Sequence, residues 1–142
     1  MHYTEGPIVY VDDDEDDHFL LNRALTELGF SNKVISFRDG QPALDYLMLT
    51  REQPLIILSD INMPFLNGLE LRGKIDADEY LKQKAIPFIF FTTGSVRTQI
   101  EQAYKGNIQG FHTKAENFTL LKQQIDLIIT YWKACLHPKS FK

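Results

Sequence analysis

The chain has 142 residues, 44% of them apolar and 24% charged, with a formal net charge of −4. That composition describes one globular domain able to bury a single core, and the scattered Lys and Arg leave no electrostatic footprint for nucleic acid. The lone cysteine, Cys135, excludes an intrachain disulfide and a cysteine-based zinc site, and no apolar run approaches membrane-spanning length.

Short apolar runs alternate with segments of helical period. Ile8–Val11 reads as a buried strand, and six consecutive carboxylates, Asp12 to Asp17, follow it directly. Leu20, Ala24 and Leu28, with Leu21 and Leu25 beside them and Gly29 at the end, predict a first helix. Lys33–Phe37 is a second strand. After Asp39 and Gly40, with Pro42 in the first turn, Ala43, Leu44, Leu47 and Met48 predict a second helix. Leu55–Leu58 and Phe88–Phe91 are continuously apolar, as expected of strands covered on both faces. Pro54 and Pro87 sit just ahead of them, where a missing N–H costs the ladder least. A third helix is expected from Gly68 to about Leu81, and a fourth from about Thr98 to Tyr104. A weaker strand, Gly110–Thr113, follows. In the last helix Phe118, Leu121, Ile125, Ile128 and Trp132 form one apolar stripe.

The pattern is (βα)₅, and the expected fold is a doubly wound α/β domain: five parallel strands with helices on both faces. Periodicity alone leaves the strand order open. Chemistry in open parallel sheets sits outside the carboxyl ends of the strands. Those positions hold Asp12 and Asp13 after the first strand and Ser59, Asp60, Ile61, Asn62, Met63 and Pro64 after the third. Thr92, Thr93 and Gly94 follow the fourth, and Lys114 the fifth. Carboxylates packed this closely need a proton or a cation between them, and an all-oxygen set suits Mg²⁺ or Mn²⁺ better than zinc. One carboxylate is then free to act as a nucleophile toward a phosphoryl group.

VDDDEDD after the first strand, LSDINMPFLNG after the third, FFTTG after the fourth and GFHTK after the fifth resemble the receiver domain of two-component response regulators, the CheY-like fold. The resemblance covers roughly Pro7 to Leu136. It implies a flavodoxin-like strand order of 2-1-3-4-5 and makes Asp60 the phosphoacceptor. It implies Mg²⁺ held by Asp13, by Asp12 partly through water, by Asp60 and by the backbone carbonyl of Asn62. Thr92 would hydrogen-bond one phosphoryl oxygen and Lys114 would ion-pair with another. Thr92 and Phe111 would form the switch, the ring turning inward as the threonine moves. The family usually has Pro after this lysine, with a cis bond before it; here Ala115 follows, and a trans bond is expected. Asn62 and Gly94 fall at positions that tune the lifetime of the phosphoryl group.

Plainer readings compete at several positions. Asp14 to Asp17 would cap the first helix and favour its dipole, and for Asp16 and Asp17 that is the expected role. A calcium loop counted from Asp12 fails, because Asp17 and Arg23 stand where Gly and Glu are required. Phe111 on an edge strand is equally explained by packing, and the four histidines share no ligand spacing. Opposite the stripe of the last helix lie Leu120, Leu127, Tyr131 and Ala134, with Trp132 extending them. A second apolar face suggests a homodimer or an output partner, against scattered exposed apolar residues.

The expected boundaries are a flexible N-terminus (1–6), a receiver domain (7–136) and a tail (137–142). The expectation is therefore a cytoplasmic stand-alone receiver, phosphorylated by a sensor histidine kinase or phosphotransfer protein and acting through protein contact. It is not expected to be an enzyme beyond its own phosphorylation and dephosphorylation. The alternatives are a pseudo-receiver that binds partners unphosphorylated and a phosphatase of the haloacid-dehalogenase type. The phosphatase needs a second acid two residues after the nucleophile, where this chain has Asn62. A nucleotide-binding module would need a GxGxxG or GxxxxGK[ST] loop, which is absent.

Overall fold

A computed structural model describes residues 3–94 and 97–138. Strands β1 (Ile8–Val11), β2 (Val34–Phe37), β3 (Ile56–Ser59), β4 (Phe88–Thr92) and β5 (Gly110–Thr113) form one parallel sheet in the order β2-β1-β3-β4-β5. Helices α1 (Glu15–Leu28), α2 (Gly40–Leu49), α3 (Gly68–Ala77), α4 (Glu79–Lys84), α5 (Arg97–Tyr104) and α6 (Phe118–Ala134) cover both faces. The expected architecture and strand order are both found.

The two-residue period of the strands divides the core. Ile8 and Tyr10 of β1 point to one face, where Leu21, Ala24 and Leu25 of α1 and Leu121, Ile125, Ile128 and Ile129 of α6 close over them. Val9 and Val11 point to the other, against Ala43 and Leu47 of α2 and Leu71 and Ile75 of α3. Strands β1, β3 and β4 are buried along their whole length, which explains their unbroken apolar runs. Pro87, at the entry to β4, accepts the Ile57 amide at 2.9 Å and has no N–H of its own to leave unpaired.

One expected element is corrected. The single helix from Gly68 to about Leu81 is two helices, broken at Asp78. That residue is extended (φ −104°, ψ 118°), and its carboxylate accepts the Leu81 amide at 3.0 Å. A short acidic side chain offers the backbone an alternative to continuing the helix, and the apolar spacing carries no record of it.

The sheet continues past its formal ends. Asp12 N donates to Phe37 O (3.0 Å), Asp60 N to Val11 O (2.8 Å) and Lys114 N to Thr92 O (2.8 Å). These three bonds hold Asp12, Asp60 and Lys114 in ladder geometry at one edge of the sheet. The N-terminal turn Tyr3–Glu5 lies at the opposite edge, where Tyr3 stacks on His137 with ring centroids 4.8 Å apart and donates its hydroxyl to Cys135 O. Residues 1–2 and 139–142 of the expected terminal segments lie outside the described residues. Among the described residues no helix is long and apolar enough to cross a membrane.

Candidate functional site

Asp12, Asp13 and Asp60 each bring one carboxylate oxygen within 4.8 Å of the others. Asp12 is fully buried, Asp60 is 8% exposed and Asp13 faces solvent. The acids expected to converge from β1 and β3 do converge. An all-oxygen donor set with one open side fits a hard divalent cation such as Mg²⁺, which keeps several of its waters.

The loop after β3 is shaped to present Asp60. Ile61 N donates to Asp60 Oδ1 at 2.7 Å, and Thr92 Oγ1 donates to the same oxygen. Among the described residues no hydrogen bond reaches Oδ2. Behind the carboxylate, Gly68 opens α3, with its amide on Ile61 O at 2.9 Å. A Cβ at position 68 would lie 2.2 Å from Asp60 O and 2.9 Å from the Phe90 ring, so only glycine fits there. Asp39, expected at the start of a helix, does not cap α2 with its side chain. Its buried carboxylate instead accepts the Leu66 amide at 3.0 Å and pins the loop between Asp60 and α3.

Burial raises Asp60 above the ordinary carboxylate range, and the Asp12 charge adds to this. The Thr92 hydroxyl, the Lys114 ammonium and the Ile61 amide work in the other direction without cancelling it.

Asp12 is the most constrained member. Its Oδ2 accepts the Tyr10 hydroxyl at 2.9 Å and the Lys114 ammonium, and its Oδ1 accepts the Asp14 amide at 2.9 Å. His18 donates from Nε2 to the Asp12 carbonyl at 2.7 Å and lies edge-on to Tyr10, 4.8 Å between centroids. Burial, followed by the Asp12 charge, pushes the Tyr10 phenol far above its ordinary value, so it is a neutral donor. Burial disfavours the Lys114 ammonium, but the Asp12 and Asp17 carboxylates outweigh it and raise the lysine above its ordinary value.

One expectation changes here. Lys114 reaches the site, and its ammonium pairs with Asp12 and, at 2.7 Å, with Asp17. Asp17 is therefore more than a helix-capping charge. Asp14 is the residue that caps α1, its side chain accepting the Asp16 amide, while Asp16 is exposed as expected.

Sequence reasoning also missed Gln124 of α6. Its Nε2 donates to Thr113 O (2.7 Å) and its Oε1 accepts from Ala115 N (2.8 Å), clamping the backbone on both sides of Lys114. The peptide bond before Ala115 is trans, as expected. Only the position of Gln124 on the half-buried flank of the last helix could have hinted at this clamp.

Phe111 is half-buried and tilted against Phe90, 5.7 Å between centroids. Asn62 is exposed on the loop after Asp60. On α6, Leu120, Leu127 and Tyr131 are exposed as expected, and Trp132 is half-buried with its ring edge-on to Tyr131. Leu127, Tyr131 and Trp132 line a groove of about 400 Å³ beside β5, together with Ile89, Gln109 and His112. A second cavity of about 410 Å³ lies at the opposite end of the sheet, beside Tyr3, Pro87 and His137, remote from the acids.

Comparison with known proteins agrees with this fold. The model of the response regulator receiver domain matches residues 8–126, and the chain belongs to that family of two-component signalling domains. Among relatives, the probable methanogenesis regulatory protein FilR2 of Methanothrix harundinacea is 33% identical over 129 residues, 88% of this chain and 82% of that protein. Chemotaxis protein CheY-3 of Vibrio cholerae is 32% identical over 121 residues, 85% of this chain and 89% of its own. Among solved structures, the phosphorylated cyanobacterial phytochrome response regulator RcpA superposes with a TM-score of 0.82 at 28% identity, covering 93% of this chain and 96% of that one. The Mn²⁺-bound form of response regulator Rcp1 gives 0.79 at 25% identity, covering 93% and 97%.

Proposed function

We propose that the protein accepts a phosphoryl group on Asp60 from a phosphohistidine of a sensor kinase or phosphotransfer protein, and signals by changing which protein it binds. The observation that carries this reading is the asymmetry of the Asp60 carboxylate. Oδ1 is held by two donors, among the described residues none reaches Oδ2, and one Asp60 carboxylate oxygen lies within 4.8 Å of oxygens of Asp12 and Asp13. In the transfer, an Asp60 oxygen forms a bond to phosphorus as the phosphorus–nitrogen bond of the donor breaks. The departing imidazole nitrogen keeps the electron pair and takes up a proton.

Asp12, Asp13, Asp60 and the Asn62 carbonyl would hold Mg²⁺ or Mn²⁺, which when bound offsets charge on the phosphoryl oxygens. The similarity to the Mn²⁺-bound Rcp1 structure supports that assignment. Thr92 is close enough to exchange its bond to Asp60 Oδ1 for one to a phosphoryl oxygen. Lys114 supplies a positive charge from the same edge. The added charge, roughly −1.5 to −2, then biases a two-state element. In this reading that element is Thr92 with Phe111, whose half-buried ring packs on Phe90. The outcome is read on the β5–α6 side, where Leu120, Leu127, Tyr131 and Trp132 form an apolar surface suited to a homodimer or an output partner. The protein acts as a cytoplasmic signalling module and catalyses only its own phosphorylation and dephosphorylation.

The test is incubation with acetyl phosphate and Mg²⁺ followed by intact mass. One hydroxylamine-labile phosphate is expected, absent in Asp60→Asn. No adduct on the folded wild type at saturating donor would favour a partner-binding module that is never phosphorylated.

A further inference from the structure

Lys114 has three N–H bonds, and two of them are committed to Asp12 Oδ2 and Asp17 Oδ2. The two acceptors differ in what they lose if the lysine leaves. Asp12 is fully buried and would still be held by the Tyr10 hydroxyl and the Asp14 amide, but Lys114 is its one cationic side-chain partner among the described residues, and losing it in the metal-free site strands a charge out of water. The Asp17 side chain is 23% exposed and stands on the first turn of α1, so water replaces the ammonium there. When an anion arrives at Asp60, Asp17 is the partner that Lys114 can give up.

We propose that Asp17 is a positioning residue that restrains Lys114 in the resting state and sets how readily the site takes an anionic phosphoryl group. This rests on the reading of Asp60 as the acceptor. Two effects act in the same direction. The ion pair must be broken to free an N–H for the phosphoryl oxygen, and the Asp17 carboxylate adds negative charge near an incoming anion. The same charge favours a divalent cation. Loss of the carboxylate therefore moves the two ligands oppositely, which a merely structural residue would not do, since damage to the cleft weakens both.

The experiment titrates trifluoroberyllate, a phosphoryl mimic, in saturating Mg²⁺, and separately titrates Mg²⁺ alone, both followed by amide NMR. Asp17→Asn and Asp17→Ser, the second in case the first folds poorly, are compared with wild type and with Asp16→Asn. The last makes the same charge change on an exposed neighbour. Both Asp17 variants are expected to reach half-saturation at about fivefold lower trifluoroberyllate, the effect of one partly exposed ion pair, and to bind Mg²⁺ about twofold more weakly. Asp16→Asn is expected to leave the anion titration within about twofold of wild type. An unchanged or weaker anion affinity in the Asp17 variants, or an equal gain in Asp16→Asn, overturns the restraint while leaving the receiver reading standing. A wild type that takes up no trifluoroberyllate overturns both.

Discussion

Thr92 and the Ile61 amide donate to the same oxygen of Asp60, Oδ1, so the Thr92–Asp60 bond fixes which face of the carboxylate is offered to solvent. The arrangement holds a charge where burial opposes it. An acid raised in the folded state keeps its proton where the unfolded chain has already lost it. Stability therefore falls as pH climbs from the ordinary carboxylate range through the raised value, and stays lower above it.

Asp60→Asn is accordingly expected to stabilise the protein at pH 7 when chelator keeps divalent cations away. A gain on the order of 1 kcal/mol raises the thermal midpoint by about 3–5 °C in a chain of this size. Calorimetry of the two proteins should converge below about pH 4, the ordinary range of the group. A midpoint lowered by the substitution at pH 7 would contradict the penalty.

The alkaline limb carries a second signature. Tyr10 and Lys114 have ordinary values of 10.0 and 10.5, and both are raised in the fold. Their contribution is complete well below the unfolded values and is lost as pH rises through them toward the folded ones. The urea midpoint should therefore drop between pH 9 and pH 11, each figure being about one unit either side of the unfolded tyrosine value. Tyr10→Phe should drop less steeply, having no phenol to ionise on unfolding. Equal slopes would contradict a phenol held neutral chiefly by burial, with the Asp12 charge second.

Gly68→Ala tests the close approach behind Asp60. With backbone oxygen 2.2 Å from the new Cβ, neither side can yield without moving the β3–α3 loop. A loss of about 3 kcal/mol is expected from denaturant unfolding. A change within about 0.5 kcal/mol, the range of a neutral surface site, would show that the loop is not clamped.

The exposed face of α6 makes its own prediction. Leu127 is 66% exposed, so Leu127→Glu should leave the thermal midpoint unchanged. If the face is a self-association surface, light scattering should give a dimer for the phosphorylated wild type and a monomer for the variant. A wild type that stays monomeric with and without phosphoryl donor removes the homodimer and leaves the output partner.

Much of this was readable before any coordinates. In a parallel sheet every strand delivers its last residue to the same edge, so apolar runs ending in Asp12, Asp60, Thr92 and Lys114 specify the site once the runs are recognised as strands. What the residues could not show are the side-chain bonds made across elements. Asp17 meets Lys114 across 97 positions and Asp39 meets Leu66 across 27, and no local period records either. The break at Asp78 was hidden for a related reason. Leu71, Ile75 and Leu81 are buried on both sides of it, and burial alone does not say that the backbone between them is continuous.

The central claim is that acids from two strands act as a single cation site beside the phosphoacceptor. Titration with Mn²⁺ followed by electron paramagnetic resonance tests it directly on wild type, Asp13→Asn and Asp60→Asn. One tight site is expected in the wild type, weakened about tenfold or more by either substitution, as for the loss of a ligand. Affinity that falls in Asp13→Asn and is untouched in Asp60→Asn would contradict a shared site and, with it, the account of how Asp60 is made ready for phosphorus.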